Sequence, residues 1–358
     1  MLIRNVNRPF RWRGKIIIFS LITILIIPTI LQADIFAKVG TSGLQFLKIS
    51  VDARAIGMGE AYTPYVKGAS STYWNPAGLA YTTSTELFLN HLRYVADIKF
   101  EYASLATPTS FGVIAFSASL LWMDWMDVTT ADEFKPTGEK FTCSDMMAGI
   151  SYATSLTDKF SLGLTGKYLR QNLDEYDING WSVDLGTLYN TGWQDLTIGM
   201  SLRNFGPEMK YTLDNDLDGL IDEDLFDLLD NDQDGLIDED REELAFTVPM
   251  NFSLGVAMNL LESDMQSLNT VFQLDNCVDR LETYNIGAEY RVGTFFLRSG
   301  YQFNLNCQKL SYGLGWKTST PFAIVDIDVA YTPFGDLEEK VDNSFLTGPI
   351  RLSLKMVF

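Results

Sequence analysis

The chain has 358 residues, 46% of them hydrophobic and 13% aromatic, and its formal net charge at pH 7 is −19. Between Asp214 and Glu243, 15 acidic residues and one basic residue account for −14 of that charge, and nothing elsewhere forms a basic nucleic-acid-binding surface. After residue 31 no apolar run approaches the roughly 18 residues of a membrane-spanning helix, so a mature chain in a membrane would have to be a closed barrel.

The first 33 residues show the order of features that characterises a secretory signal peptide. Basic residues at positions 4, 8, 11, 13 and 15 precede an apolar run over 16–27, and small residues follow at Ala33 and Ala37. A charged stretch, an apolar stretch and a small-residue cleavage site in this order predict export. We expect residues 1–33 to be removed by cleavage near 33–37, and an uncleaved inner-membrane anchor is the alternative.

Residues 38–85 form a segment that lacks the pattern of the strands after it. Gly57 and Gly59 permit close backbone approach or positive φ angles. The Asn-Pro pair at 75–76 favours a turn, and Gly78 lies just beyond it. In isolation the segment is expected to form a short helix, a loop and a turn that pack against something larger.

From residue 86 onward, apolar and polar residues alternate with a period of two. In one such stretch Tyr284, Ile286 and Ala288 alternate with Asn285 and Gly287. Because successive side chains of a strand point to opposite faces, each stretch would have one apolar face and one polar or small face. The predicted strands cover 86–95, 99–107, 111–123, 141–156, 160–172, 177–191, 196–205, 247–260, 267–275, 282–292, 295–304, 310–318, 322–333 and 348–358.

The predicted connections differ in length on the two sides of the sheet. Those after the even-numbered strands are short, whereas the intervening ones are mostly longer, apart from a short first one near 96–98. Tight periplasmic turns and long extracellular loops are typical of outer-membrane barrels. The sequence therefore predicts an all-β fold, a transmembrane antiparallel β-barrel of about 14 strands over 86–358. A water-soluble β-sandwich is the alternative.

The last predicted strand ends at the chain terminus and has one apolar face. Ile350, Leu352, Leu354 and Met356 share that face with the terminal Phe358. A final amphipathic strand ending in Phe resembles the recognition signal that the barrel-assembly machinery reads. Together with the signal peptide, it predicts a location in the cell outer membrane of a Gram-negative-type bacterium.

An acidic insertion over 208–245 interrupts the strand pattern and contains a duplication. DNDLDGLIDED occurs at 214–224 and DNDQDGLIDED at 230–240, so the two copies differ at a single position. Oxygen donors at alternate positions, with a glycine bend, are the pattern of a calcium-binding loop. The predicted ligands are Asp214, Asp216, Asp218, the Leu220 carbonyl, Asp222 and Asp224 in the first copy and Asp230, Asp232, Asp234, the Leu236 carbonyl, Asp238 and Asp240 in the second.

The last ligand of each calcium loop is not fixed by the repeat. Leu225 and Arg241 stand at position twelve, where a bidentate Glu is expected, so Asp224, Asp240 or a carboxylate of the other copy must complete the shell. Carboxylates this close would repel one another strongly without a cation. We predict structural calcium that orders a long extracellular loop, and a solvated acidic loop that repels itself is the alternative.

The sequence carries no recognisable catalytic or cofactor site. It has no glycine-rich phosphate loop, no Ser/His/Asp grouping and no zinc-ligand spacing, and its single histidine, His91, falls in a predicted strand. We therefore predict that the protein is not an enzyme. Of its three cysteines, Cys277 and Cys307 fall in loops on the predicted outer side, where they could pair.

Two blocks of the N-terminal segment carry a family resemblance. They are FLKISVDARAIGMGEAY at 46–62 and STYWNPAGLA at 71–80. At this separation the two blocks resemble the N-terminus of PorV/PorQ family proteins, which are relatives of the FadL fatty-acid channel. The resemblance is close over about 40 residues, and the rest of the chain matches only as a barrel of the right size.

The resemblance implies that the segment over 38–85 folds back into the lumen of the barrel as a hatch. On this mapping Asn75 and Pro76 turn the hatch toward the first strand, whereas Gly57 and Gly59 let it pack in the lumen. The implied hatch motif consists of Arg54, Gly57, Gly59, Asn75, Pro76 and Gly78. These residues either contact a ligand directly or only fix the plug.

The resemblance leaves three functions open. In PorV proteins the barrel belongs to the type IX secretion system and receives cargo that carries a C-terminal sorting domain. In FadL relatives the hatch gates the lateral movement of hydrophobic small molecules. The third possibility is a calcium-stabilised surface protein without transport activity. The implied partners are outer-membrane lipid together with secreted cargo proteins or hydrophobic small molecules, and no nucleic acid.

Overall fold

The computed structural model describes residues 40–94, 98–129, 136–173, 176–193, 195–210, 245–304, 309–333 and 349–358. Within them, fourteen antiparallel strands form a closed barrel in which each strand pairs with its neighbour in the chain and the last pairs with the first. The strands are β1 (Glu86–Arg93), β2 (Lys99–Thr109), β3 (Gly112–Trp122), β4 (Cys143–Ser155), β5 (Phe160–Leu173), β6 (Tyr176–Asn190), β7 (Thr197–Phe205), β8 (Asn251–Glu262), β9 (Gln266–Cys277), β10 (Thr283–Val292), β11 (Phe295–Phe303), β12 (Leu310–Ser319), β13 (Ile324–Tyr331) and β14 (Ile350–Val357).

The alternation of side chains accounts for the two faces of the barrel wall. In β5, Leu162 and Leu164 point outward and are 40% and 47% exposed, whereas Ser161 and Thr165 on either side of them are buried inside. A wall that is apolar outside and polar inside matches a barrel with lipid around it. The predicted all-β, fourteen-stranded antiparallel barrel is confirmed.

The connections reproduce the predicted difference between the two ends of the barrel. The turns at 110–111, 156–159, 191–196, 263–265, 293–294 and 320–323 join the strands at one end, which we call the periplasmic end. At the other, extracellular end, the connection after β5 is also short, because β5 and β6 extend to 14 and 15 residues. Two small ribbons also stand there, 126–127 paired with 140–141 and 209–210 paired with 245–246.

The predicted strand over 247–260 was wrong at its start. The strand begins at Asn251, and residues 245–246 pair with 209–210 in a ribbon outside the barrel. Pro249 has no N–H to donate to a sheet. The N–H of Met250 donates instead to the carbonyl of Val248 at 2.7 Å, which turns the chain before it enters the wall.

The residues before the barrel form four short helical pieces. These are a 3-10 helix at Gln45–Lys48, α1 (Ala53–Gly57), α2 (Ser71–Trp74) and a second 3-10 helix at Pro76–Tyr81. Among the described residues, no helix has the length and apolar character needed to cross a membrane. The predicted signal peptide at 1–33 lies outside the described residues and stays a prediction.

Candidate functional site

The described part of the predicted hatch, residues 40–85, lies inside the barrel, and we call it the N-terminal segment. Its helix α1 packs against β11, β12, β13 and β14, whereas its 3-10 helix at Pro76–Tyr81 packs against β3, β4, β5 and β6 on the opposite wall. A segment that contacts opposite walls of a closed barrel can only lie in the lumen. This interior is the candidate functional site.

Glycines on the inner face of the wall make room for the backbone of the segment. The glycines form pairs at directly opposed positions of neighbouring strands: Gly163 with Gly186, Gly199 with Gly255, and Gly287 with Gly300. A Cβ on Gly255 would come within 2.8 Å of Pro64 Cδ, and one on Gly287 within 2.9 Å of Met58 Cβ. Real Cβ atoms avoid such distances, so the close approach requires glycine.

The predicted hatch glycines lie at these contacts. Gly59 has a φ of +64°, in the left-handed region that glycine adopts without strain. A Cβ there would lie 2.8 Å from Tyr301 N, and one on Gly57 would lie 2.8 Å from the Cα of Gly313. Gly78, by contrast, packs within the segment against Ser71 and Val66.

Asn75 and Pro76 hold the second half of the segment to the wall. The Asn75 amide donates to the carbonyls of Thr63 and Thr187, both at 3.1 Å, and its oxygen accepts from the N–H of Ala77 at 3.1 Å. It thereby caps the 3-10 helix that starts at Pro76. One side chain thus links two parts of the segment to β6.

Inward-facing side chains of the strands accept hydrogen bonds from backbone N–H groups of the segment. Gln273 Oε1 accepts from the N–H groups of Tyr62 and Thr63 at 2.9 and 2.8 Å. At the start of α1, Asn90 accepts from the N–H of Asp52 at 3.1 Å, and Ser353 accepts from that of Ala53 at 2.7 Å. Buried N–H groups need such partners, so the wall supplies much of what orders the segment.

A buried ion network joins Arg54 of the segment to three strands, β10, β11 and β13. Arg54 donates through Nε and Nη2 to the two carboxylate oxygens of Glu289, each at 2.7 Å. Arg298 donates to the same carboxylate at 2.6 Å and to Asp328 at 2.7 Å. Tyr65 donates to Glu289 at 2.9 Å. Forked arginine–carboxylate pairs of this kind are strong and directional.

A second polar contact holds the segment at the extracellular end. Asp279, between β9 and β10, accepts from Lys48 at 2.8 Å and from Gln45 at 3.0 Å, and it also accepts from Ser42. Burial alone would raise the pKa of this carboxyl, but these hydrogen bonds outweigh it and hold the pKa well below its ordinary value. The carboxylate therefore stays charged at neutral and mildly acidic pH, and the contact weakens only in strong acid.

Cys277 takes part in the same cluster. Its thiol donates to Asp279 at 3.1 Å. Cys307, its predicted partner in a disulfide, lies outside the described residues, so that pairing stays a prediction.

Sequence reasoning singled out the segment but missed the residues that receive it. Nothing in the sequence distinguishes Glu289, Arg298, Asp328 and Gln273 from the other polar residues of the predicted strands. The signal that could have found the packing sites is the recurrence of glycine on the inner faces of neighbouring strands, as with Gly287 and Gly300.

The predicted calcium ligands, Asp214 to Asp224 and Asp230 to Asp240, lie outside the described residues. The ribbon that flanks them is described: Met209 pairs with Phe246, and Thr247 bridges to Ser42 of the N-terminal segment. In the described part of the chain, no group of three or more His, Cys, Asp or Glu residues is placed to hold a metal.

We expect the purified barrel to bind Ca²⁺ in isothermal titration calorimetry at micromolar to millimolar concentrations, the usual range of such loops. The triple variant Asp230→Asn, Asp232→Asn, Asp234→Asn should lose heat from at least one site, because neutral amides replace three charged ligands. The triple variant Asp124→Asn, Asp127→Asn, Asp177→Asn removes the same charge from other surface positions and should bind as the wild type does. Absence of calcium-dependent heat from the wild type would contradict the prediction.

Comparison with known proteins agrees with the architecture. The family described as Type IX secretion system protein PorV matches residues 32–219. Comparison with curated proteins finds no match.

Three solved structures are similar to the chain. The TodX deltaS2S3 mutant monoaromatic hydrocarbon channel aligns with a TM-score of 0.53 at 12% identity over 85% of this chain and 97% of that one. The Pseudomonas putida toluene transporter TodX aligns with a TM-score of 0.51 at 12% identity, over 85% of this chain and 96% of that one. A Pseudomonas aeruginosa FadL homologue aligns with a TM-score of 0.50 at 13% identity, over 87% of this chain and 99% of that one. At such identities the likeness shows the fold alone.

Proposed function

This chain belongs to the PorV family of type IX secretion system proteins and is an outer-membrane β-barrel, and we propose that it binds exported proteins at the membrane for delivery to the cell surface. The family match supports a role in secretion. The proposal involves no chemical step, in keeping with a family and fold of transport and secretion barrels.

The observation that carries this proposal is the occupied lumen. At the extracellular end, Lys48 of the N-terminal segment contacts Asp279. At the periplasmic end, the Glu86 carboxylate of β1 accepts from the N–H of Ala69 of the segment at 3.0 Å. Between these points the segment contacts opposite walls of the barrel. A segment that contacts both walls in this way obstructs the path through the barrel, so the exported protein would bind to the barrel rather than thread through it.

Co-purification tests this function. We expect the tagged barrel, extracted from outer membranes in detergent, to retain proteins that share a common C-terminal domain. The purified C-terminal domain should then bind the purified barrel directly. An unrelated fourteen-stranded barrel with the same tag is the control. Recovery of no shared domain, or equal binding of the domain to both barrels, would contradict the proposal.

A second candidate function is a channel for hydrophobic small molecules. The fold favours it, because structures similar to this chain are a toluene transporter and a monoaromatic hydrocarbon channel. In that case the N-terminal segment would act as the hatch, and Arg54, Gly57 and Gly59 would set its position. Uptake of a labelled fatty acid into liposomes that contain the barrel, above the uptake of empty liposomes, would favour this function over protein binding.

The third candidate is a surface protein in which the calcium loop is the working part. The position of the ribbon at 209–210 and 245–246 beyond the barrel supports an extracellular loop there. Deletion of 211–244 keeps that ribbon and should abolish cell adhesion if this function holds. Normal adhesion after the deletion would exclude it.

A further inference from the structure

A small polar cavity lies at the periplasmic end of the lumen, apart from the surface that faces the cell exterior. Its volume is about 190 Å³. On the wall it is lined by Lys317, Asp326 and Lys355, and on the N-terminal segment by Arg54 and Lys67. The three wall residues form one row across neighbouring strands, because Asp326 is directly opposite Lys317 on one side and Lys355 on the other.

The charges around this cavity do not balance at its mouth. The carboxylate of Asp326 lies 3.5 Å from Lys317 Nζ and 3.3 Å from Lys355 Nζ, so one anion is shared by two cations. Lys67 Nζ lies 4.8 Å from the centre of the Tyr81 ring, and no carboxylate of the described residues is within 4 Å of it. At the mouth, three ammonium groups therefore face the single carboxylate of Asp326, whereas Asp52 and Asp328 line the inner wall.

The inner wall of the cavity offsets only part of this surplus, because the buried carboxylate of Asp52 also lines it. Arg54 and Arg298 there are already paired with Glu289, and Arg298 also with Asp328. One positive charge therefore remains in excess. Partial burial, and next the positive charge of the nearby Arg54, lower the pKa of Lys67, so the charge closest to it in this cavity is another cation. An incoming negative group would offset this excess positive charge.

We propose that this cavity binds an oxyanion group, a carboxylate or a phosphate, presented from the periplasmic side, with Lys67, Lys317 and Lys355 as its ligands. The volume is below the roughly 300–1,000 Å³ of pockets that enclose whole small molecules. The cavity therefore takes a head group, and the remainder of the molecule extends toward the periplasm along Phe296. This site is independent of the proposed binding of exported proteins.

Calorimetry on the full-length barrel in phosphate-free detergent buffer tests the site with three probes. These are inorganic phosphate, octanoate, and a short peptide with a free or an amidated C-terminus. Lys67→Gln and Lys355→Gln should each weaken binding about tenfold, as loss of one charge-assisted hydrogen bond predicts. Lys159→Gln, at a different periplasmic turn where the Lys159 ammonium donates to the Thr191 carbonyl at 3.5 Å, should leave binding unchanged.

Asp326→Asn gives a result that misfolding cannot imitate. It removes the carboxylate that competes for Lys317 and Lys355, so the affinity for the same probes should rise. Binding of phosphate alone would point to a phosphate source, and binding of the free-acid peptide but not its amide would point to a chain terminus. Either result supports the site if the Lys67→Gln substitution weakens the binding of that probe. No saturable binding of any probe, or equal binding by Lys67→Gln and Lys159→Gln, would overturn the proposal.

Discussion

Replacing Glu289 by glutamine should destabilise the barrel by about 3–5 kcal/mol, the usual cost of removing one partner from a buried ion pair. Glu289 accepts from Arg54, Arg298 and Tyr65, and its side chain is only 2% exposed. After the substitution, Arg298 would keep its pair with Asp328, whereas Arg54 would lose both of its charged hydrogen bonds to Glu289. Urea unfolding in detergent, followed by tryptophan fluorescence, measures the change.

The control for this substitution is an ion pair on the outside of the same barrel. Arg170 and Asp177 pair across β5 and β6, and both side chains are well exposed, at 49% and 39%. Exposed pairs contribute up to about 1 kcal/mol, so Asp177→Asn should change the stability little. Equal effects of Glu289→Gln and Asp177→Asn would contradict the structural importance of the buried network.

Limited proteolysis of the Glu289→Gln variant tests whether the ion network fixes the N-terminal segment in the lumen or stabilises only the strands of the wall. Arg54 belongs to the segment, whereas Glu289 and Arg298 belong to β10 and β11. If the network fixes the segment, trypsin should cleave after Lys67 in Glu289→Gln under conditions in which the wall remains folded. Protection equal to that of the wild type would mean that the other contacts of the segment suffice.

The strands could be predicted from the sequence because each depends on a local pattern. Alternation in a stretch such as 284–292 predicts which residues face lipid and which face the lumen, whatever lies across the barrel. The missed start of β8 has a local cause too, since Pro249 breaks the pairing that the alternation suggested. Patterns of this kind therefore fix the wall but not what fills it.

The partners inside the lumen could not be predicted, because they depend on closure of the barrel. Arg54 and Glu289 are separated by 235 positions in the chain, and nothing near either residue indicates that they meet. The family resemblance indicated that the segment enters the lumen, but not which strands receive it. Only the pairing of fourteen strands in register brings Glu289, Arg298 and Asp328 to one place.

The segment itself has little capacity to fold alone. Its α-helices contain 5 and 4 residues, far fewer than an isolated helix needs in water. The order of the segment comes in part from side chains of the wall that accept its backbone N–H groups: Gln273 accepts from Tyr62, and Ser353 accepts from Ala53 at the start of α1. A change to the wall at a contact point should therefore displace the segment before it affects strand pairing.

Gly300→Ala should release the N-terminal segment from the wall. A Cβ at this position would overlap the backbone of Met58 and Gly59, which cannot move aside as a flexible side chain could. The backbone of Gly59 is restrained from moving away, because the side-chain amide of Gln302 donates a hydrogen bond to its carbonyl at 3.1 Å. Overpacking usually costs about 1–3 kcal/mol, and we expect a loss at the upper end of that range or beyond it.

Gly166→Ala is the matched control, since it makes the same change on the outer face of β5. A Cβ there would meet no atom within 4 Å, and alanine fits a strand better than glycine does. We expect its urea midpoint to equal or exceed that of the wild type, whereas Gly300→Ala should unfold earlier and be cleaved by trypsin after Lys67. If Gly300→Ala retained wild-type stability and protection, the segment would have to pack differently against β10 and β11, and the hatch contacts at Gly57 and Gly59 would lose their basis.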